Sequence, residues 1–346
     1  MEFLHSNFPP LRTPSRTFSD VFDELLFQSD KIRIASGYIT ADSIAELQRT
    51  IELNKKPNVE LIIGMHYFDG FTRKEYQASV DFNNFLSNGG MGGVFLSTAF
   101  KYHGKAYSFS KYDAPFASII GSNNLSSITE YSRVYETSLL FHDMTKNVEL
   151  DHFITGLINV CKPLNACSIT SFKEYNKLLE GHEDVEQADI SIIESLGLSS
   201  TSFKIPLKAG DSYSRSNLNV FFGRGRVDRR GLVKPRHWYE VELIVPSEIT
   251  SRPKYPQANS ANSIFDVITD DGWKFKCKVS GDYSKNLRSE GNLKILGKWL
   301  KGRLENAGAL KVGELVTEET LRKYGRSDFD LIKTDTQNLW YLDFRV

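Results

Sequence analysis

Cysteine is nearly absent from this 346-residue sequence: Cys161, Cys167 and Cys277 form an odd, scattered set. They suit neither a disulfide framework nor a zinc site, so reduced thiols without a functional part are expected. Apolar runs of membrane-spanning length are missing as well. The opening residues, MEFLHSNFPPLRTPSR, are polar and broken by proline rather than built like a secretory signal, and a cytoplasmic location without membrane attachment is expected. The seven histidines show no metal-ligand spacing, and His66, His142 and His152 are expected as surface or satisfied core residues. The GGMGG stretch, Gly89 to Gly93, lacks the Lys-Ser/Thr that a phosphate loop places before its helix, and reads as a turn ahead of a strand. Neither a metal nor a cofactor is expected.

Net charge is absent too, since 43 Lys and Arg balance 43 Asp and Glu. That balance hides a division. Residues 201–346 carry 26 basic against 18 acidic side chains, a net of +8, and the first 200 residues carry the opposite excess. The basic part is the candidate binder of a polyanion.

What is present is a regular alternation of elements. Ser19 to Gln28 reads as a short helix with Ser19 as N-cap, Lys31 to Ala35 as a strand, Asp42 to Leu53 as an amphipathic helix, and Val59 to Ile63 as a strand. Thr72 to Leu86 is expected as a helix, Val94 to Leu96 as a strand, and Asp151 to Cys161 as a closing helix. This predicts an α/β domain over residues 1–176. Residues 177–202 hold one basic and six acidic residues and end rich in serine, so an acidic linker is expected. Residues 203–346 turn β-rich, with strands at Asn219–Phe222, Trp238–Val245, Ile264–Thr269 and Trp273–Val279, a helix at Leu293–Leu304, and spacings typical of a small β-barrel.

The stretch that carries chemistry runs from Lys101 to Phe141. His103 and Lys105 stand two apart on an expected extended strand, so they project from one face and can meet one substrate group together. Gly121-Ser122-Asn123-Asn124 closes the apolar run Phe116 to Ile120 with the short donors that hold phosphate oxygens. Glu136 sits in a further apolar segment, where a carboxylate needs a partner, and an imidazole N–H is the expected one.

At these residues the chain resembles the phospholipase D superfamily, whose pattern is HxK, then GSxN, then a downstream acid; Ser110 stands where the pattern usually has an Asp. With its C-terminal part, the chain is similar to the metal-independent restriction endonucleases of the BfiI and NgoFVII type. The resemblance implies a nuclease domain followed by a B3-like barrel that recognises double-stranded DNA. It implies a covalent phosphohistidine at His103, with Lys105, Asn124, Ser122 and Glu136 in support. A single HxK further implies a homodimer through the N-terminal domain, each copy supplying one histidine. Some such systems include a separate helicase-like subunit and a cognate DNA methyltransferase.

By position, two polar segments correspond to the DNA-gripping arms of that barrel. The first carries Arg215, Arg224, Arg226, Arg229, Arg230, Lys234 and Arg236; the second groups Asp282, Tyr283, Ser284, Lys285, Asn286 and Arg288. Arg, Asn and Asp are the side chains that read base edges in the major groove, and the remaining cations would hold phosphates. The alternatives are a phosphodiesterase acting on a non-DNA substrate and a DNA-binding protein with an inactive nuclease-like domain.

Overall fold

The structure is a computed structural model that describes residues 1–129, 134–174, 178–182 and 184–346. It divides into two compact units, residues 1–175 with 226–235, and residues 176–225 with 236–346.

The first unit is α/β. One mixed sheet contains β1 (Glu2–His5), β2 (Lys31–Ser36), β3 (Asn58–Ile63), β4 (Gly92–Leu96), β5 (Lys105–Lys111), β6 (Ala114–Gly121), β7 (Thr137–Phe141) and β8 (Lys162–Pro163), in spatial order β1-β7-β6-β5-β2-β3-β4-β8. β2, β3 and β4 run parallel, linked by helices α2 (Ala41–Asn54) and α3 (Arg73–Asn88). Each helix starts where a threonine stops the strand-to-helix turn: Thr40 and Thr72 accept from the N3 amide, and Ser43 and Glu75 return the bond to the cap. Helix α1 (Phe18–Gln28) is capped by Thr17 rather than Ser19. Ser19 falls inside the first turn, buried, with its hydroxyl donating to the Ile128 carbonyl at 3.4 Å. The GGMGG turn leads into β4, and Gly92 is required there. Its φ is +122°, and a Cβ would stand 2.0 Å from the Val59 carbonyl oxygen.

Helix α4 (Met144–Val160) is fastened to the sheet by an ionic network as well as by apolar packing of Ile154 on Ala35, Ile62 and Ala106. Arg33 on β2 donates to both oxygens of Asp151 at 2.7 and 2.6 Å and to Glu60 on β3 at 2.7 Å, while the Ser108 hydroxyl on β5 donates to Asp151 at 2.7 Å. Four elements therefore converge on one guanidinium–carboxylate pair.

The second unit holds β9 (Glu186–Gln187), β10 (Leu198–Pro206), β11 (Leu243–Ile244), β12 (Ile264–Thr269), β13 (Trp273–Ser280), β14 (Asn286–Ser289), β15 (Asp328–Thr334) and β16 (Leu339–Asp343). They form a curled half-barrel in order β10-β15-β16-β12-β13-β14-β11, with β9 pairing to β13. Helix α5 (Ile295–Asn306) packs closely: a Cβ on Gly297 would lie 2.0 Å from the Tyr239 carbonyl. The Glu305 carboxylate accepts from the Trp238 indole at 2.9 Å and the Tyr239 hydroxyl at 3.1 Å, and Lys301 donates to the Trp238 carbonyl at 2.6 Å.

Three expectations for this region need revision. Asn219–Phe222 is not a strand; Val220–Phe222 is a tight helical turn, because the Asn219 side chain is spent bridging the Val316 main chain at 2.8 and 2.9 Å. Of Trp238–Val245 only Leu243–Ile244 joins the ladder, since Trp238 and Tyr239 are committed to α5. The expected linker supplies β9 and the start of β10, and buries Leu178 and Leu179. Lys177 and Glu183 of that segment lie outside the described residues.

Replacing Asp151 with Ala leaves Arg33 largely buried without its bidentate partner. We expect a loss of about 3 kcal/mol, within the range for breaking a buried ion pair, measured as a lower urea midpoint for the first unit; an unchanged midpoint would show the network to be ornamental.

Candidate active site and nucleic-acid interface

Strand register brings the motif residues to one end of the first sheet. Ser36, the last residue of β2, pairs with Lys105, the first of β5; Ala106 pairs with Ile120 on β6, and Gly121 with Ser138 on β7. His103, Lys105, Ser122, Asn124 and Glu136 therefore all sit at this edge or on the loops leaving it, and His103 lies on the loop before β5 rather than on one strand with Lys105.

Lys105 is the buried member of the set, 8% exposed. Its ammonium donates to the His103 carbonyl at 2.8 Å and lies 3.3 Å from His103 Nε2. Burial lowers its pKa, and the Glu136 carboxylate pulls it back up. The His103 ring is exposed, the Tyr38 ring meeting it edge to face at 5.7 Å. Close approach explains the intervening glycine: a Cβ on Gly104 would reach to 2.5 Å of the Tyr102 hydroxyl. Gly37 permits the same on the other side, with the His103 backbone 3.3 Å from where its Cβ would stand.

Asn124 is oriented by the first strand. Its carboxamide oxygen accepts from the Tyr38 amide at 3.0 Å and lies 3.4 Å from the Ser36 hydroxyl, leaving the NH₂ end for a substrate oxygen. Asn123 is buried and structural, its Oδ1 accepting from Ser138 at 2.7 Å and its carbonyl from Tyr107 at 2.7 Å. Ser122 is exposed, and its hydroxyl is engaged with the Thr137 main chain, accepting at 2.9 Å and donating at 3.3 Å. Glu136 precedes β7, its backbone tied to Ser6 at 2.9 and 3.1 Å. Among the described residues no hydrogen bond joins Glu136 to His103; its carboxylate acts on Lys105 instead. Residues 130–133, between Asn124 and Glu136, lie outside the described residues.

Sequence reasoning missed Ser36 and Tyr38. The available signal was their place directly after an alternating strand, around a glycine. His66 is a core histidine that is only half satisfied: it is 5% exposed, its Nε2 accepts from the Ile39 amide at 3.1 Å, its Nδ1 has no hydrogen-bond partner among the described residues and lies 3.7 Å from the Glu75 carboxylate, and burial lowers its pKa. Among the described residues no group of three or more His, Cys, Asp or Glu could hold a metal ion, and no helix is long and apolar enough to cross a membrane.

The basic residues divide between the units. Arg215 and Arg224 are exposed in the second, whereas Arg226, Arg229, Arg230 and Lys234 belong to a hairpin that packs with the first. That packing is specific: Asn54 exchanges hydrogen bonds with the Val233 main chain at 2.8 and 3.0 Å, Arg230 pairs with Glu24 at 3.0 Å, and Lys234 pairs with Asp23. Arg236, in the second unit, is half-buried between Glu240 and Glu242 at 2.7 and 3.0 Å. The later segment forms a turn in which Asp282 and Tyr283 are exposed and Ser284 is buried, its hydroxyl donating to Gln257 at 3.0 Å and accepting from the Ala258 amide at 2.8 Å. Lys285 is half-buried, and Asn286 and Arg288 lie half-buried on β14.

Residues 16–167 match the N-terminal PLD domain of the NgoFVII restriction endonuclease, and residues 194–335 match the NgoFVII C-terminal B3-like DNA-binding domain. Among solved structures, the chain is similar to the phospholipase D family member Nuc from Salmonella typhimurium (16% identity, TM-score 0.31, 47% of this chain and 95% of that one). NucT from Helicobacter pylori is similar at 17% identity and a TM-score of 0.32, over 47% of this chain and 99% of that one. Phosphatidylserine synthase from Haemophilus influenzae Rd KW20 is similar at 16% identity and a TM-score of 0.33, over 48% and 41%. Comparison with curated proteins gives no match. With a PLD domain that bears the His103–Lys105 pair and a B3-like domain following it, the chain belongs to the NgoFVII family of restriction endonucleases and is a DNA nuclease with its own DNA-recognition domain.

Proposed function

We propose that this nuclease hydrolyses DNA phosphodiester bonds without a metal ion, through a covalent phosphohistidine, in one composite site per homodimer. The observation that carries the reading is the 3.3 Å approach of the Lys105 ammonium to His103 Nε2, with the Asn124 carboxamide oriented beside it. His103 Nε2 attacks phosphorus; a P–N bond forms, the P–O bond to the leaving sugar breaks, and the partner subunit's His103 protonates the departing oxygen. The same imidazole then takes a proton from water, whose oxygen attacks phosphorus and displaces His103. Lys105 and the Asn124 NH₂ donate to the non-bridging oxygens, where charge develops in the transition state. Two such sets would supply the positive charge that a metal brings to other nucleases.

Glu136 enters as a regulator of Lys105 rather than as the partner of His103. Its negative charge favours the protonated lysine, which burial disfavours. The second unit delivers site recognition, with Arg215, Arg224, Asp282 and Tyr283 as the exposed candidates for contact with double-stranded DNA.

Plasmid cleavage by the purified chain should persist in EDTA. His103→Ala should abolish it by at least about a thousandfold while DNA binding is kept; loss of cleavage in EDTA, or retention in the variant, would contradict the proposal. In Glu136→Gln the alkaline limb of the pH–rate profile should move to lower pH, because removing the carboxylate lowers the lysine pKa further; a limb that stays put would separate Glu136 from Lys105.

A further inference from the structure

One residue contacts both halves of the catalytic motif and belongs to neither. Tyr38 follows β2 and Gly37. Its amide donates to the Asn124 carboxamide at 3.0 Å, and its ring meets the His103 imidazole edge to face, centroids 5.7 Å apart and planes at 79°. The hydroxyl donates to Asp69 at 2.6 Å, and Asp69 in turn accepts from Lys101 at 2.9 Å. On its far side the ring packs edge to face on buried His66 at 5.4 Å, and His66 stacks on Phe71 at 4.7 Å. The ring thus stands between an exposed imidazole and a fixed wall, with its outer end tied down by an ion pair.

We propose that Tyr38 is a positioning residue for the reaction: its ring fixes the plane in which His103 presents Nε2, and the Asp69–Lys101 pair fixes the ring. This rests on the assignment of His103 as nucleophile. His103 is exposed, and among the described residues its ring has one polar neighbour, Lys105, so rotation about its side-chain bonds must be limited by something else. An edge-to-face contact supplies that limit without spending either of the imidazole's nitrogens. Asn124 is aligned by the Tyr38 main chain, so donor and nucleophile share one frame.

The test compares Tyr38→Leu, Tyr38→Phe and Asp69→Asn in the full-length chain, by steady-state DNA cleavage and by carbon–proton NMR of labelled histidine. His103 is the resonance missing from His103→Gln, and the six other histidines serve as references. Tyr38→Leu should lower kcat by about ten- to a hundredfold with KM held within about twofold, the cost of a misplaced reacting group. Its His103 resonance should move alone. Tyr38→Phe, which keeps the ring, should recover most of kcat. Asp69→Asn, which removes the charge that holds the hydroxyl and Lys101 without removing the ring, should shift the His103 resonance in the same direction by a smaller amount, and it decides the matter if Tyr38→Leu does not fold. Wild-type kcat in Tyr38→Leu, a loss expressed only in KM, or an unmoved His103 resonance in both variants would overturn the proposal. If the wild-type chain cuts no DNA, the nuclease reading fails on its own, and the NMR arm still decides the positioning.

Discussion

An ammonium group held almost out of water, against an exposed imidazole, is the constraint on which the site depends. Lys105 begins a central strand, so its backbone cannot move away, and its side chain turns back onto the His103 carbonyl at 2.8 Å. Burying a cation is unfavourable unless polar atoms or an opposite charge surround it. Here they are the His103 carbonyl, the His103 ring and the field of Glu136. A phosphate entering between imidazole and ammonium would complete that shell, and this gives a physical reason for an anionic substrate to prefer this edge of the sheet.

The rest of the first unit holds that edge still. Gly121 lets β6 and β7 approach where a Cβ would lie 2.2 Å from the Ser138 hydroxyl, Gly104 leaves room for the Tyr102 ring, and Gly37 stands close to the His103 backbone, which would lie 3.3 Å from a Cβ there. Below the edge, Arg33, Glu60, Ser108 and Asp151 bind β2, β3, β5 and α4 into one block. The two arrangements are complementary. Glycines remove bulk where segments of the edge come close to one another, and the ionic network ties together the sheet below.

The motif was legible in the sequence because HxK and GSxN are local patterns at the ends of strands whose apolar runs announce them. The α/β order was legible for the same reason, and Ile264–Thr269 has the bounds that its alternation predicts. Tyr38 was not, because its importance comes from contacts with Asn124 and Asp69, 86 and 31 residues away. The arginine-rich segment divides between the two units, which charge spacing does not reveal, because Asn54 and Asp23 hold its hairpin within the first. Ser284 and Arg236 show what polar composition does not reveal: their local partners, the Ala258 amide and Gln257 for one and two glutamates for the other.

The central claim is that His103 becomes covalently bonded to the DNA during the reaction. It is tested most directly by mixing enzyme with end-labelled substrate, quenching in alkaline detergent within the first turnover, and locating the adduct by peptide mass. The account predicts a transient, acid-labile nucleotide adduct on the peptide that contains His103. A reaction that proceeds at full rate with no adduct, or with the nucleotide on another residue, would contradict it.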